Sequence, residues 1–399
     1  SLPGAAPIAS RRGARRFPAR RPSLPGAAPI VDNRRMSNRR FIVAATFAAA
    51  TLGGAGLPAA AGEPPSPPVK DARDLTETPT YVPPERASLV FDKAISFDAP
   101  LANPVRLVLD APAARAFVVL PETGVEVVDL AAGRRAAPVR QAREPRDAAV
   151  FGNLLALADG DARGLVFIDL AERRTLRRLP LGDEPGRLLF DAAGQRLFVV
   201  VGEGDRTRLV AIDAAEMRRV GELRLPSRPD DLALSADGAR LFAAAPGDGD
   251  GAVYVIDPAA RRLVARWPLG RARAPRAVFV DEKRGRLIVA CRRPRARLVA
   301  MRLADGALLD AAEAPAEVED VSLDPASARL YATGGEGAIF VYESPTPESL
   351  KLVERVAAAA GARRSAFWAA GDRLLVAAPQ FGVRPAALLL FKPRRGAKR

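Results

Sequence analysis

The pattern of apolar and polar positions changes character near residue 88. Ahead of it no segment carries a sustained period of 2 or 3.6. Behind it, short apolar runs recur, each following a small polar turn. Seven of these runs align: AFVVL after Arg115, LLALA after Asn153, LFVVV after Arg196, LFAAA after Arg240, LIVAC after Arg286, LYATG after Arg329 and LLVAA after Arg373. The anchors are spaced by 38, 43, 44, 46, 43 and 44 residues. A second run trails each first one and ends in Asp in the early copies (Asp129, Asp169, Asp213, Asp257). The ending changes to Arg302, Glu343 and Phe391 in the later copies. An inner run such as Leu232 to Leu234 precedes each anchor, and a fourth run such as Leu263 to Gly270 follows.

Four short strands per repeat, copied seven times with Gly/Asp turns and almost no helical period, predict an all-β chain folded as a seven-bladed β-propeller. A four-stranded sheet of this size cannot bury its own faces, so neighbouring sheets must stack in a ring. The last repeat runs out of chain after its third strand, at 387–391, while 89–97 precedes the first inner strand as an orphan. Strand 89–97 is therefore expected to close the ring as the outer strand of the last blade, removing two unpaired edges.

The stretch from Ser235 to Ala245, followed by Val253 to Gly270, resembles the YVTN-type repeats of bacterial exported propellers. Ser235, Asp237, Gly238, Leu241, Val255, Ile256, Asp257, Pro268 and Gly270 carry the match, and the likeness extends over roughly residues 88–392. The family's strand-end Asn is absent: Gly334 and Ala245 stand there in two of the copies. The Trp-Asp and Gly-His elements of WD40 repeats are also missing. The resemblance implies a seven-bladed ring, often periplasmic or at the cell surface, and no single activity.

The residues ahead of the repeats read as separate segments. Residues 1–8 recur at 23–30 around an Arg-rich run, which marks 1–35 as a non-native or disordered basic leader. Residues 36–61 have the form of a signal peptide: Arg39 and Arg40, an Ala-rich apolar stretch, and Ala59-Ala60-Ala61 as a cleavage site. The apolar stretch is short for a membrane span, so no span is expected after cleavage. Sec and twin-arginine routes both fit. Residues 62–87 hold seven prolines and form a linker, 88–392 the propeller, and 393–399 a basic tail. These features predict a periplasmic or secreted protein.

Composition narrows the chemistry. With no histidine, Ser-His-Asp and imidazole-metal sites are excluded; with one cysteine, Cys291, so are internal disulfides and Cys-rich zinc sites. No catalytic residue, metal or cofactor is expected. The net charge of +15 invites a polyanion partner, but residues 1–61 hold ten Arg against one Asp, and the segment from Lys392 onward adds five cations. The body at 62–391 is left at +1, so nucleic acid is not an expected partner.

Aligned on their anchors, the repeats place Arg106, Asp147, Arg187, Asp231, Ala277, Asp320 and Arg364 just before each inner strand, at the mouth of the central channel. A ring of mixed charge suits either a small polar ligand or a self-neutralising plug. Asp159 and Asp161, Glu203 and Asp205, and the Gly247–Gly251 run lie in loops of the same face. They read as hairpin-turn chemistry more readily than as a Ca²⁺ site. Arg292, Arg293, Arg295 and Arg297 form the one dense basic cluster within the repeats, with Arg271, Arg273 and Arg276 in a neighbouring loop; together they suit an acidic partner protein, a phosphate-rich surface or nucleic acid, or else solvent alone. Cys291 ends an apolar run and reads as a small buried hydrophobe, with a reactive thiol as the rival. The expected function is that of an exported, monomeric, non-catalytic scaffold binding a protein or small polar ligand on its loop and channel-mouth face. The alternative is a lactonase-like periplasmic enzyme or an electron-transfer propeller subunit partnering a dehydrogenase.

Overall fold

The computed structural model describes residues 87–98, 103–247 and 249–395. They form seven four-stranded antiparallel sheets, six of them ordered from inner to outer strand as the chain runs. Blades 1 to 6 occupy 106–139, 145–180, 185–224, 231–268, 273–313 and 318–357. Blade 7 takes its inner three strands from 364–393 and its outer strand from Leu89–Ser96. The chain is thus the seven-bladed β-propeller that the repeat pattern predicts. The leader, signal-peptide and linker assignments lie outside the described residues, except Ala87 at the linker's end.

Burial explains why the second and third strands read as continuous apolar runs and the outer ones do not. Leu241–Ala245 is buried along its whole length because a blade covers each of its faces. The outer strand Arg262–Pro268 alternates between exposed and sheltered positions, since one edge meets solvent. Seven separate apolar clusters result, one at each junction between neighbouring blades. Each blade is therefore stable only through the next.

Leu89–Ser96 pairs antiparallel with Ala387–Pro393, from Leu89 opposite Pro393 to Ser96 opposite Ala387. A bulge between Phe91 and Lys93 turns Asp92 outward, where it accepts a hydrogen bond from Arg373 Nε at 2.8 Å. Phe91 packs edge-on against Phe391, with ring centroids 5.8 Å apart. The predicted closure is present, with the strand ending at Ser96 and Phe97 just beyond it.

The third-strand Asp residues serve the turns that follow. Asp129, Asp169, Asp213 and Asp257 each accept backbone N–H bonds two or three residues on, at 2.8–3.0 Å. The anchor Arg residues stabilise the same end of the ring. Arg286 is fully buried: its Nε meets Asp281 at 3.0 Å, and its other nitrogens donate to Ser344 Oγ and the carbonyls of Pro347 and Ser349. This one guanidinium holds the last hairpin loop of blade 6 against blade 5.

Candidate functional site

The inner strand of every blade presents a free edge to the channel, so its outward N–H groups need partners. Three aspartates supply them at one end of the ring. Asp147 Oδ2 accepts from Leu188 N at 2.9 Å, Asp231 Oδ2 from Val278 N at 3.0 Å and Asp320 Oδ2 from Ser365 N at 3.0 Å. Each bond runs from an even-numbered blade to the next odd-numbered one. In each case the donor is the residue just after the aligned ring position.

Three arginines of the odd-numbered blades complete the ring. Arg187 Nε lies 3.0 Å from Asp231 Oδ1, and its NH1 lies 3.4 Å from Asp147. Arg364 NH1 is 3.5 Å from Asp320. Arg106 has its Nε 3.3 Å from Asp147, and its NH1 is 3.9 Å from both Asp231 and Asp320, carboxylates of blades 4 and 6. Its side chain therefore reaches across the channel. Six of the seven aligned positions thus come together as three cations and three anions; Ala277 adds no charge.

A second tier lies one residue upstream. Glu319 takes Arg364 NH2 at 2.9 Å and Arg276 NH2 at 3.2 Å, and also pairs with Arg292. Arg276 in turn meets Asp230 at 3.1 Å. Three arginines thus converge on these two acids. Burial opposes the charge of Arg187, but Asp231, Asp147 and Asp320 outweigh it and hold the guanidinium more firmly protonated than usual. Burial also opposes ionisation of Glu319, yet Arg364, Arg276 and Arg292 bring its carboxyl below the ordinary range. For Asp320 burial wins, and its carboxyl sits above the ordinary range despite Arg364 and Arg106.

Two features depart from the sequence reading. None of the ring residues precedes its inner strand: Arg106, Asp231 and Arg364 open theirs, and Ala277 is fifth in its own. Asp147, Arg187 and Asp320 are third in theirs, because those strands start early and shift register across Arg146, Gly186 and Glu319. Arg292, grouped by sequence with a basic surface cluster, belongs to the mouth. It donates to Glu319 and to the Val318 and Glu317 carbonyls, both at 3.0 Å. Arg293, Arg295 and Arg297 remain exposed on the blade 5 rim. Asp230 and Glu319 were missed by anchor alignment, although the acidic doublets Asp230-Asp231 and Glu319-Asp320 mark them in the sequence.

The arrangement is a polar floor whose charges largely satisfy one another. Four buried atoms of this floor are left without a hydrogen bond: Arg106 Nε, Asp231 Oδ1, Arg276 Nε and Arg364 Nε. Asp231 Oδ1 lies close to Arg187 Nε, but that N–H donates to the Asp230 carbonyl at 3.0 Å instead. The acidic loops of this face are engaged locally. Asp159 accepts from the Arg143 and Glu144 amides at 3.2 Å, and Asp250 pairs with Arg273 at 2.8 Å. Among the described residues no three His, Cys, Asp or Glu side chains converge where a metal ion could sit, and no helix is long and apolar enough to cross a membrane. Cys291 is buried, and burial pushes its thiol up to about 12.

No family model and no curated protein matches the sequence. Solved structures do match the fold. A chain of hydrazine synthase from Kuenenia stuttgartiensis superposes with a TM-score of 0.62 at 17% identity, over 70% of this chain and 94% of that one. A chain of a mitotic checkpoint complex superposes with a TM-score of 0.61 at 17% identity, over 84% of this chain and 98% of that one. At such identity the likeness shows the propeller and nothing of its activity.

Proposed function

We propose that this protein is an exported, non-catalytic β-propeller of the YVTN-repeat type whose loop and channel-mouth face binds a protein partner. The observation that carries this reading is the mouth itself. Arg106, Arg187 and Arg364 are matched by Asp147, Asp231 and Asp320, with Arg106 drawn across the channel between carboxylates of other blades. A mouth closed by its own ion pairs makes that end a continuous surface, suited to a macromolecule more than to a substrate entering the channel. Export rests on the apolar stretch behind Arg39 and Arg40.

A second reading, a small polar ligand at the mouth, is favoured by the unused hydrogen-bonding capacity of Arg106 Nε and Asp231 Oδ1. Photo-cross-linking in the cell separates these outcomes. A photoreactive residue at Glu203, on the loop face, should give a discrete adduct, and one at Glu172, at the opposite end, should not. Equal adducts from both positions, or none from Glu203, would defeat the scaffold reading.

A further inference from the structure

The blade 5 rim of the loop face holds exposed arginines that the rest of the molecule does not neutralise. Arg271, Arg293, Arg295 and Arg297 are exposed and, among the described residues, their guanidiniums have no hydrogen bond or ion pair. Nearby guanidiniums are engaged: Arg273 with Asp250, and Arg276 and Arg292 with Glu319. Pairing register concentrates the charge further. Arg293 lies directly opposite Arg273 across the strand pair, a like-charge arrangement that is unfavourable unless an anion intervenes. Arg297 lies opposite Glu313, but that carboxylate pairs with Arg355 at 2.7 Å.

We infer that this rim is a docking surface for an acidic, extended protein segment; the inference rests on the scaffold reading above. The guanidinium fork matches a carboxylate with two parallel N–H bonds, so exposed forks on one hairpin and its neighbouring loop fit carboxylates spaced along a peptide. The patch is bounded by the ion pairs of Asp250 on one side and of Glu313, Glu317 and Glu319 on the other, which confine the unpaired guanidiniums to a short stretch. The only aromatic residue between Arg271 and Arg297 is Phe279, in the inner strand Arg273–Asp281, which leaves no platform for base stacking. Both features favour a short acidic peptide over nucleic acid.

Arginine footprinting on the full chain tests this directly. Phenylglyoxal modification is mapped by mass spectrometry with and without a synthetic Glu-rich peptide, so that the basic residues 1–61 and the tail are read separately. Modification of Arg271, Arg293, Arg295 and Arg297 should slow about tenfold with the peptide, the equivalent of one lost charge-assisted contact, while Arg224 is unaffected. The inference is overturned if these four residues are not protected, or if a single-stranded oligonucleotide at equal charge concentration protects them as well or better. A repeat of the Glu203 cross-link in an Arg293→Glu, Arg295→Glu, Arg297→Glu variant keeps the two readings apart. An adduct that persists unchanged would leave the scaffold standing while removing this surface from it.

Discussion

The Asp147 carboxylate accepts the backbone N–H of Leu188 at 2.9 Å, from one blade to the free channel edge of the next. The same oxygen lies 3.4 Å from Arg187 NH1, and Oδ1 lies 3.3 Å from Arg106 Nε. A single buried side chain thus caps an edge strand and pairs with two guanidiniums. Asp147→Ala should cost about 3–5 kcal/mol, because it leaves an amide unpaired and buried charge uncompensated. Asp147→Asn, which retains an acceptor for Leu188, should lose clearly less. Urea midpoints for the two variants check this, and equal losses would mean that the staple contributes nothing.

Glu319 predicts a pH signature. Its folded-state pKa lies below the unfolded value of 4.5, so the stability it contributes is present above that value and is lost as pH falls through the lowered folded pKa. Glu319→Gln should therefore destabilise the protein by about 3 kcal/mol at neutral pH. The wild-type and variant melting curves should converge in acid. Asp320 has the opposite sign: with its folded pKa raised, the cost of its ionisation grows as pH rises through that value.

Arg286→Met should release the 344–350 loop of blade 6 and cost about 3 kcal/mol, since buried Asp281 would keep only the more distant Arg284, at 3.7 Å. Arg286→Lys should rescue little, because one ammonium cannot reproduce a fork serving Asp281, Ser344 and two carbonyls. Thermal melting of both variants is sufficient to read this.

Removing residues 1–98 deletes the outer strand of blade 7 and exposes the edge of Ala387–Pro393. The shortened chain should melt at a lower temperature and aggregate more readily than the full chain. An unchanged midpoint would mean that the closure is dispensable.

The Cys291 thiol, pushed up to about 12 by burial, should resist a thiol reagent at pH 8 in the native protein. It should react fully once the chain is unfolded in urea. Rapid labelling of the native state would show that the strand Arg286–Arg293 opens.

The fold was readable because a propeller repeats its apolar periodicity seven times, and each anchor such as Arg240 or Arg286 marks the same strand start. Closure by residue 89 onward followed from counting strands. The site was only partly readable. Alignment found Asp231 and Asp320, whose positions are copied from blade to blade. It missed the pairing of Arg292 with Glu319, because register shifts around Arg276 and Glu319 alter which side chains meet without leaving a periodic mark. Whether an arginine is spent at the mouth, like Arg292, or left on the rim, like Arg293, depends on one residue of strand position.

The alternation of arginine and aspartate around the mouth also carries a problem of parity. Seven is odd, so two signs cannot alternate all the way round. The pattern breaks at Ala277 and again where Arg364 of blade 7 neighbours Arg106 of blade 1. The fold repeats every blade, but its electrostatics repeat every two. Loss of an internal blade such as blade 3 would bring Asp147 beside Asp231, whereas loss of two adjacent internal blades would keep the order of signs.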